Sequence, residues 1–388
     1  MWVPKNKISL PLFLLLSSQL ISRTAIYATI PIFPIYMRDL GFAITDLGIV
    51  SASLGIALVI FEPLWGSLLN RLGAKSVFVS STLAMALVLF SHTLVRDLAG
   101  FVFVRFLSGV FASAIAVSTR TLMSQVIPRK ERAFGTWWSI YAAGGVIGPI
   151  VGGIAATQGY VLVFYVATFV AAIGFLLSFG APKPKYSNLT ATVSRIKDMD
   201  RHERRILFTA SSLIVLPYFL RAVYLTYVPV FAKESSKFSL GTVEIGLVIS
   251  AIGVVGFLAP FAFSEIASKK GVTKTVVLGM ALEASAFILL PLITGFPLLC
   301  FTAVLLGLGE AATNPCMLAF LVSEIRSSNS GLAIGVYGAG EDIGALVGPL
   351  IAGSFYEYSG AEFSFYLTAL LMLANITVAT ALLMKAKK

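Results

Sequence analysis

The sequence predicts an all-α membrane protein of twelve transmembrane helices, arranged as two pseudo-symmetric six-helix bundles. Three observations carry this expectation: composition, the spacing of apolar segments, and an internal duplication. Of 388 residues, 57% are hydrophobic and 12% charged, and the mean hydropathy is +0.91. Apolar content stays high almost from end to end, which excludes a disordered chain and argues against a water-soluble globule.

A helix of about 20 apolar residues crosses the hydrocarbon layer. Twelve segments meet that requirement, at 8–37, 45–69, 75–95, 97–127, 132–157, 160–181, 204–232, 242–268, 273–294, 296–323, 328–356 and 361–384. Lys5 and Lys7 before the first segment mimic a signal peptide. The apolar run outlasts an ordinary signal core and has no clear small-residue cleavage site, so a retained first helix is expected. The fourth segment is long enough to protrude. Residues 182–203 are the longest polar interval, and they divide an N-terminal bundle (1–181) from a C-terminal one (204–388).

The two parts repeat one another. At an offset near 198, Arg23 matches Arg221, Pro31 matches Pro229 and Phe33 matches Phe231. The alignment continues through Asp46 and Glu244, Gly48 and Gly246, Gly55 and Gly253, Gly73 and Gly271, and Gly109 and Gly307. Gly144-Gly145-Val146-Ile147-Gly148-Pro149 returns as Gly344-Ala345-Leu346-Val347-Gly348-Pro349, an offset of 348 − 148 = 200. Six helices per repeat make both repeats enter the membrane from the same side, as parallel repeats about an axis along the membrane normal.

The net charge of +11 would suit a nucleic-acid partner, but its distribution does not. Lys and Arg crowd one face: Arg71 and Lys75, Arg129 to Arg132, Lys269 to Lys274, Arg326, both termini and the 182–203 loop. Arg38, Arg96, Lys233 and Lys237 alone fall on the other. The positive-inside pattern therefore predicts cytoplasmic termini in a cell membrane. Cys300 and Cys316 share one helix about 24 Å apart, too far to pair, and no metal spacing exists. Asn188-Leu189-Thr190 fits a glycosylation pattern only by accident if its loop is cytoplasmic.

Particular motifs add a family resemblance that spans the chain. Gly66-Ser67-Leu68-Leu69-Asn70-Arg71-Leu72-Gly73 resembles the helix 2–3 loop signature of the major facilitator superfamily, with a degenerate copy at Ser264–Gly271. Arg105-Phe106-Leu107-Ser108-Gly109 resembles its helix 4 motif. Gly144–Gly153 fits GxxxGPxxGG, the helix 5 pattern associated with its drug/proton antiporters. Asn70 stands where the loop signature normally carries an aspartate, so a charged latch is replaced at most by a neutral one. The resemblance implies that helices 5 and 11, carrying Gly144, Gly148, Pro149, Gly348 and Pro349, meet helices 8 and 2 between the bundles. Glycines four apart admit close backbone approach, giving a seam on which the bundles could rock.

Ionisable groups at bilayer depth are costly, and so are functional or paired. Arg23 and Arg221 occupy equivalent places on helices 1 and 7, each eight residues before a proline. The superfamily's organophosphate/phosphate antiporters look similar in this respect, and the resemblance would set the two guanidinium groups across a central cavity. Arginine offers a planar fork for carboxylate or phosphate; alternatively, each arginine is neutralised by an acid and braces its bundle. Tyr27, Tyr218 and Tyr224 lie within about a turn of these arginines, and Asn314 lies one turn beyond Glu310. These six residues form the expected substrate site. Glu310, Glu341, Asp342 and, through the resemblance, Arg105 are the expected proton-coupling residues. Glu341 and Asp342 point about 100° apart, so only one of them is expected to face the cavity.

Glu62 reads as a structural ion pair or gate contact, Arg120 as a surface group, and Trp137 and Trp138 as interfacial anchors. Glu283, on a helix the fold makes peripheral, is expected to touch an inner helix. Enzyme signatures are absent: the glycine-rich runs at 307–312 and 338–344 lie in apolar helices, without the strand a dinucleotide loop needs. No cofactor or metal is expected. The sequence thus points to a monomeric secondary transporter working by alternating access, through proton-coupled antiport or efflux of drug-like or metabolite compounds. A transporter of organic or phosphorylated anions and a non-transporting receptor or scaffold are the alternatives.

Overall fold

The computed structural model describes residues 9–127, 130–183, 196–326 and 329–386. Apart from one 3-10 turn, every regular element among them is an α-helix. In chain order these are α1 (Leu10–Thr29), α2 (Ile32–Asp39), α3 (Ile44–Leu72), α4 (Ala74–Ser91), α5 (Leu98–Val126), α6 (Lys130–Ala156) and α7 (Tyr160–Ser178). The second half contains α8 (Arg201–Leu213), α9 (Val215–Glu234), α10 (Thr242–Lys270), α11 (Val272–Leu289), α12 (Phe296–Glu324), α13 (Ser330–Ser359) and α14 (Ala361–Ala386). Helices α1 and α2 form one broken span, and so do α8 and α9, so the fourteen helices make twelve crossings. Eleven of these spans are apolar enough to read as membrane-crossing on length and hydropathy. The twelfth is α13, whose glycines and acidic pair lower its hydropathy.

The broken helix α8/α9 shows how one proline is accommodated. Pro217 removes a hydrogen bond that would reach back to the Leu213 carbonyl. Asn375 of α14 satisfies that oxygen with its Nδ2, at 3.0 Å. Tight interhelical turns use glycine at positive φ, including Gly73 at 83° and its repeat partner Gly271 at 92°. The repeat extends to the caps: Asp46 accepts the Ala43 N–H at 2.9 Å, and Glu244 accepts the Gly241 N–H at 2.7 Å.

Packing follows the duplication. In the first half α1 packs on α6 and α7, and α5 on α3 and α4; in the second, α9 packs on α13, and α12 on α10 and α11. The bundles meet along α3 against α13 and α6 against α10.

The seam is tight at the face away from the termini and open towards the face that carries them. Near the distal face, a Cβ on Gly48 would lie 2.6 Å from the Pro349 oxygen, and one on Gly55 would lie 2.8 Å from Leu346 Cα. Thr242 Oγ1 donates to the Gly153 oxygen at 2.9 Å, and Ser250 Oγ to that of Val146 at 2.8 Å. Arg38 Nε donates to Glu234 at 2.9 Å, and the Ile44 N–H to Glu357 at 2.6 Å, each across the two bundles. On the terminal-face halves of the same helices, Gly66, Gly256, Gly335 and Gly338 have nothing within 4 Å of a Cβ.

The GxxxG glycines correct one expectation. Gly144 and Gly148 pack inside their own bundle, where a Cβ would meet Arg23 Cβ at 2.6 Å and the Thr24 oxygen at 2.7 Å. Gly348 likewise abuts the Phe219 oxygen at 2.7 Å. Helices α6 and α13 do lie between the bundles, but 3.6 residues per turn sends their i, i+4 glycines to α1 and α9. Gly48, Gly55, Gly246 and Gly253, on the facing helices α3 and α10, supply the small-residue seam instead. Arg71 is exposed, and the side chain of Asn70 lies outside the described residues, as do residues 188–190.

Candidate functional site

Charges at mid-membrane depth gather on the inner helices. Arg221 of α9 forms an ion pair with Glu310 Oε2 of α12, with side chains 24% and 18% exposed. Its repeat counterpart differs. Arg23 of α1 has no carboxylate within ion-pair distance among the described residues; its guanidinium lies 4.4 Å from the centre of the Tyr141 ring. Its Nε is buried and unbonded. Bracing by an acid therefore holds for one arginine of the pair and not for the other.

Tyr27 links the two places. It is buried, meets Tyr141 edge-on with ring centres 5.7 Å apart, and lies within electrostatic reach of both Arg23 and Arg221. Tyr141 was not singled out in the sequence, yet it sits at the centre of an aromatic group on α6. Trp138 stacks on it at 5.7 Å, and Trp137 lies 5.4 Å away. Spacings of three and four residues place 137, 138 and 141 along one helical stripe; that periodicity was the available signal. The interfacial-anchor expectation fails for Trp137 in particular. It is 9% exposed, donates from Nε1 to Thr119 at 3.3 Å, and lies 5.0 Å beneath the Arg120 guanidinium.

Arg120 is not a free surface group either. It donates to Glu62 at 2.6 Å, as the ion-pair reading of Glu62 anticipates. Glu341 and Asp342 of α13 both lie within electrostatic reach of Glu62 and Arg120, across the inter-bundle space. The angle between their Cβ directions does not take either of them out of electrostatic reach of that pair.

Burial and bonding give the surroundings of three further expected residues. Tyr224 is fully buried inside the second bundle, bonded to Thr302 at 3.0 Å and edge-on to Phe287. A tyrosine three residues beyond Arg221 is turned by about 300°, and here that suffices to take it out of the inter-bundle space. Asn314 is already engaged: it donates to Tyr218 at 2.5 Å and accepts from Tyr337 at 3.1 Å, so it organises the wall. Arg105 has no acid partner among the described residues. Its guanidinium lies 4.0 Å from the Phe33 ring, in a group containing His92, Phe101 and Phe164.

Glu283 of α11 does touch an inner helix, packing against Gly309 of α12. Its neighbour there is Glu310, within electrostatic reach. Among the described residues no group of His, Cys, Asp and Glu could hold a metal ion. The arrangement is a polar inter-bundle space with an aromatic wall and one unneutralised arginine on α1 and α6, and a charge-balanced wall on α9 and α12. Such an arrangement offers aromatic faces for stacking and can move charge by making and breaking ion pairs.

A family model described as Major Facilitator Superfamily matches residues 15–282 and 244–388. The quinolone resistance protein NorA of Staphylococcus aureus is 21% identical over 355 residues, covering 90% of each chain. The multidrug resistance protein MdtG of Proteus mirabilis is 23% identical over 362 residues, covering 89% of each. Among solved structures, the nucleoside transporter NupG superposes with a TM-score of 0.80 at 16% identity, over 97% of this chain and 99% of its own. A POT family transporter bound to 5-aminolevulinic acid gives 0.81 at 13% identity, over 97% and 96%. At such identities the structural likeness shows the fold alone.

Proposed function

The chain belongs to the Major Facilitator Superfamily and is an integral-membrane secondary transporter of a small-molecule solute, and we propose that it exports planar, amphipathic aromatic compounds in exchange for protons. One observation carries the substrate reading: the Trp138–Tyr141 stack beside Arg23, with Tyr27 joining that wall to Arg221. An aromatic solute would extend the stack. The drug-resistance names of the two relatives agree with efflux.

Proton coupling is supported by the Arg221–Glu310 pair, by Glu341 and Asp342 facing Glu62 and Arg120, and by the lack of an ATP-binding motif in the sequence. Protonating Glu310 would release Arg221, and solute arrival could do the same. Lys and Arg crowding on the terminal face supports cytoplasmic termini, with the open side of the seam then towards the cytoplasm. Residues 182–203 would serve as the linker between the bundles. The protein would act as a monomer and carry out no bond-making chemistry.

Transport of organic or phosphorylated anions is the second reading, because Arg23 is a buried cation without an acid partner among the described residues. Proteoliposomes with an imposed pH gradient separate the two. Ethidium accumulation that follows the gradient and survives Arg23→Gln supports export of aromatic compounds. Gradient-driven uptake of glycerol phosphate that Arg23→Gln abolishes, with no ethidium flux, favours the anion reading.

A further inference from the structure

Glu283 is the most buried acid among the described residues, with 0% exposure, and neither of its carboxyl oxygens makes a hydrogen bond. A buried polar group without a partner needs a physical account. Two other buried atoms are unbonded: Thr313 Oγ1, which lies in the α11–α12 contact, and Glu310 Oε1, on the residue that follows Gly309. Glu283 packs on Gly309, the residue before Glu310, and the Thr313 hydroxyl lies beside its carboxyl. Thr313 follows Glu310 by three residues and so stands over the same helical stripe.

We propose that Glu283 is a positioning residue, held as the neutral acid, that orients Glu310 through the Thr313 hydroxyl. The inference rests on the proton-coupling reading above. A protonated Glu283 donates to Thr313 Oγ1, and the Thr313 hydroxyl donates to the free oxygen of Glu310, whose other oxygen faces Arg221. An ionised Glu283 has no proton to donate, and the cluster would then hold two carboxylates against one arginine.

The charged and titratable groups around Glu283 are Glu310 of α12, Arg221 of α9 and Tyr337 of α13. From α14 the nearby polar group is Asn375, beside Met280. The titratable side chains of α10, from Glu244 to Lys270, lie near its two ends. Arg221 is thus the one cation of the cluster, and Glu310 already engages it. The chain of donors holds the Glu310 carboxylate in place until protonation frees Arg221, and so sets the pH at which that happens.

The test uses the purified full-length protein and two readouts. Infrared difference spectra of unliganded wild type against Glu283→Gln should show the carbonyl stretch of a protonated, slowly exchanging carboxyl that the variant lacks. Identical spectra would overturn the proposal, whatever the protein transports. In proteoliposomes, the pH profile of ethidium flux should stay in place for Glu283→Gln, because the amide still donates. It should move to higher pH by about one unit for Thr313→Val, because Glu310 then loses a hydrogen bond to its charged form. Thr313→Ser should restore it. A move to lower pH in Glu283→Gln would mean that the native residue is ionised, and an unmoved profile in Thr313→Val would break the relay; either result overturns the proposal. If the Glu283 variant fails to fold, Thr313→Val decides. If wild type shows no pH-dependent ethidium flux, the proton-coupling reading fails, while the infrared result still decides the state of Glu283.

Discussion

Gly253→Ala should shift the balance between the two conformations of the transporter without unfolding it. In the present structure a Cβ at Gly253 would lie 2.8 Å from the Gly145 carbonyl carbon, 2.9 Å from its oxygen and 2.9 Å from the Val146 nitrogen. All three are backbone atoms of α6, so no side chain can turn aside to relieve the clash. Overpacking of this kind costs about 1–3 kcal/mol, which corresponds to roughly a 5- to 150-fold change in an equilibrium. The penalty applies only while α10 is pressed on α6, and separation of the bundles at their distal face removes it. Spin labels at Gln158 and Ser236, exposed on the distal face of opposite bundles, would report that separation by pulsed electron paramagnetic resonance, with Cys300 and Cys316 replaced by alanine. The long-distance population should grow in Gly253→Ala. It should not change in Gly256→Ala, where nothing lies within 4 Å of a Cβ. Gly148→Ala serves as the second control: its clash with Thr24 and Tyr27 lies inside one bundle, so thermal stability should fall while the distance ratio stays put. Equal distance distributions in wild type and Gly253→Ala, with both folded, would refute the reasoning.

Arg38→Gln removes the distal ion pair to Glu234, whose side chains are 30% and 41% exposed. The same labels should show a smaller shift in the same direction, worth about 0.2–1 kcal/mol after solvent screening. Glu310→Gln leaves Arg221 without its counter-charge. Thermal stability should drop by less than the about 3–5 kcal/mol of a fully buried broken pair, since water reaches both groups, and pH-driven ethidium flux should vanish. Adding Arg221→Gln should restore much of the stability but not the flux, as thermal melts and transport on the same preparations would show. Tyr141→Leu should weaken ethidium binding by about fivefold, equivalent to about 1 kcal/mol of ring contact, whereas Tyr141→Phe should bind like wild type in fluorescence titrations.

Residue order alone was enough for the twelve spans, the duplication and the family. Hydropathy has to persist for a whole membrane crossing, and repeat offsets are one-dimensional, so both survive without coordinates. Arg23, Arg221, Glu310, Glu341 and Asp342 were marked in the same way, because charge at bilayer depth is conspicuous in any apolar run. Which of these charges is neutralised emerged only once the helices were packed. Arg23 and Arg221 are equivalent in the repeat, yet only Arg221 faces an acid, since α12 carries Glu310 where the matching stretch of α5 offers none. The same holds for Tyr224, turned into a bundle core, and for Tyr141, whose importance comes from the rings and the guanidinium that other turns and another helix bring to it. A helix fixes where a side chain leaves the backbone; what that side chain meets is fixed by the neighbouring helices, and no local pattern along one chain segment records them.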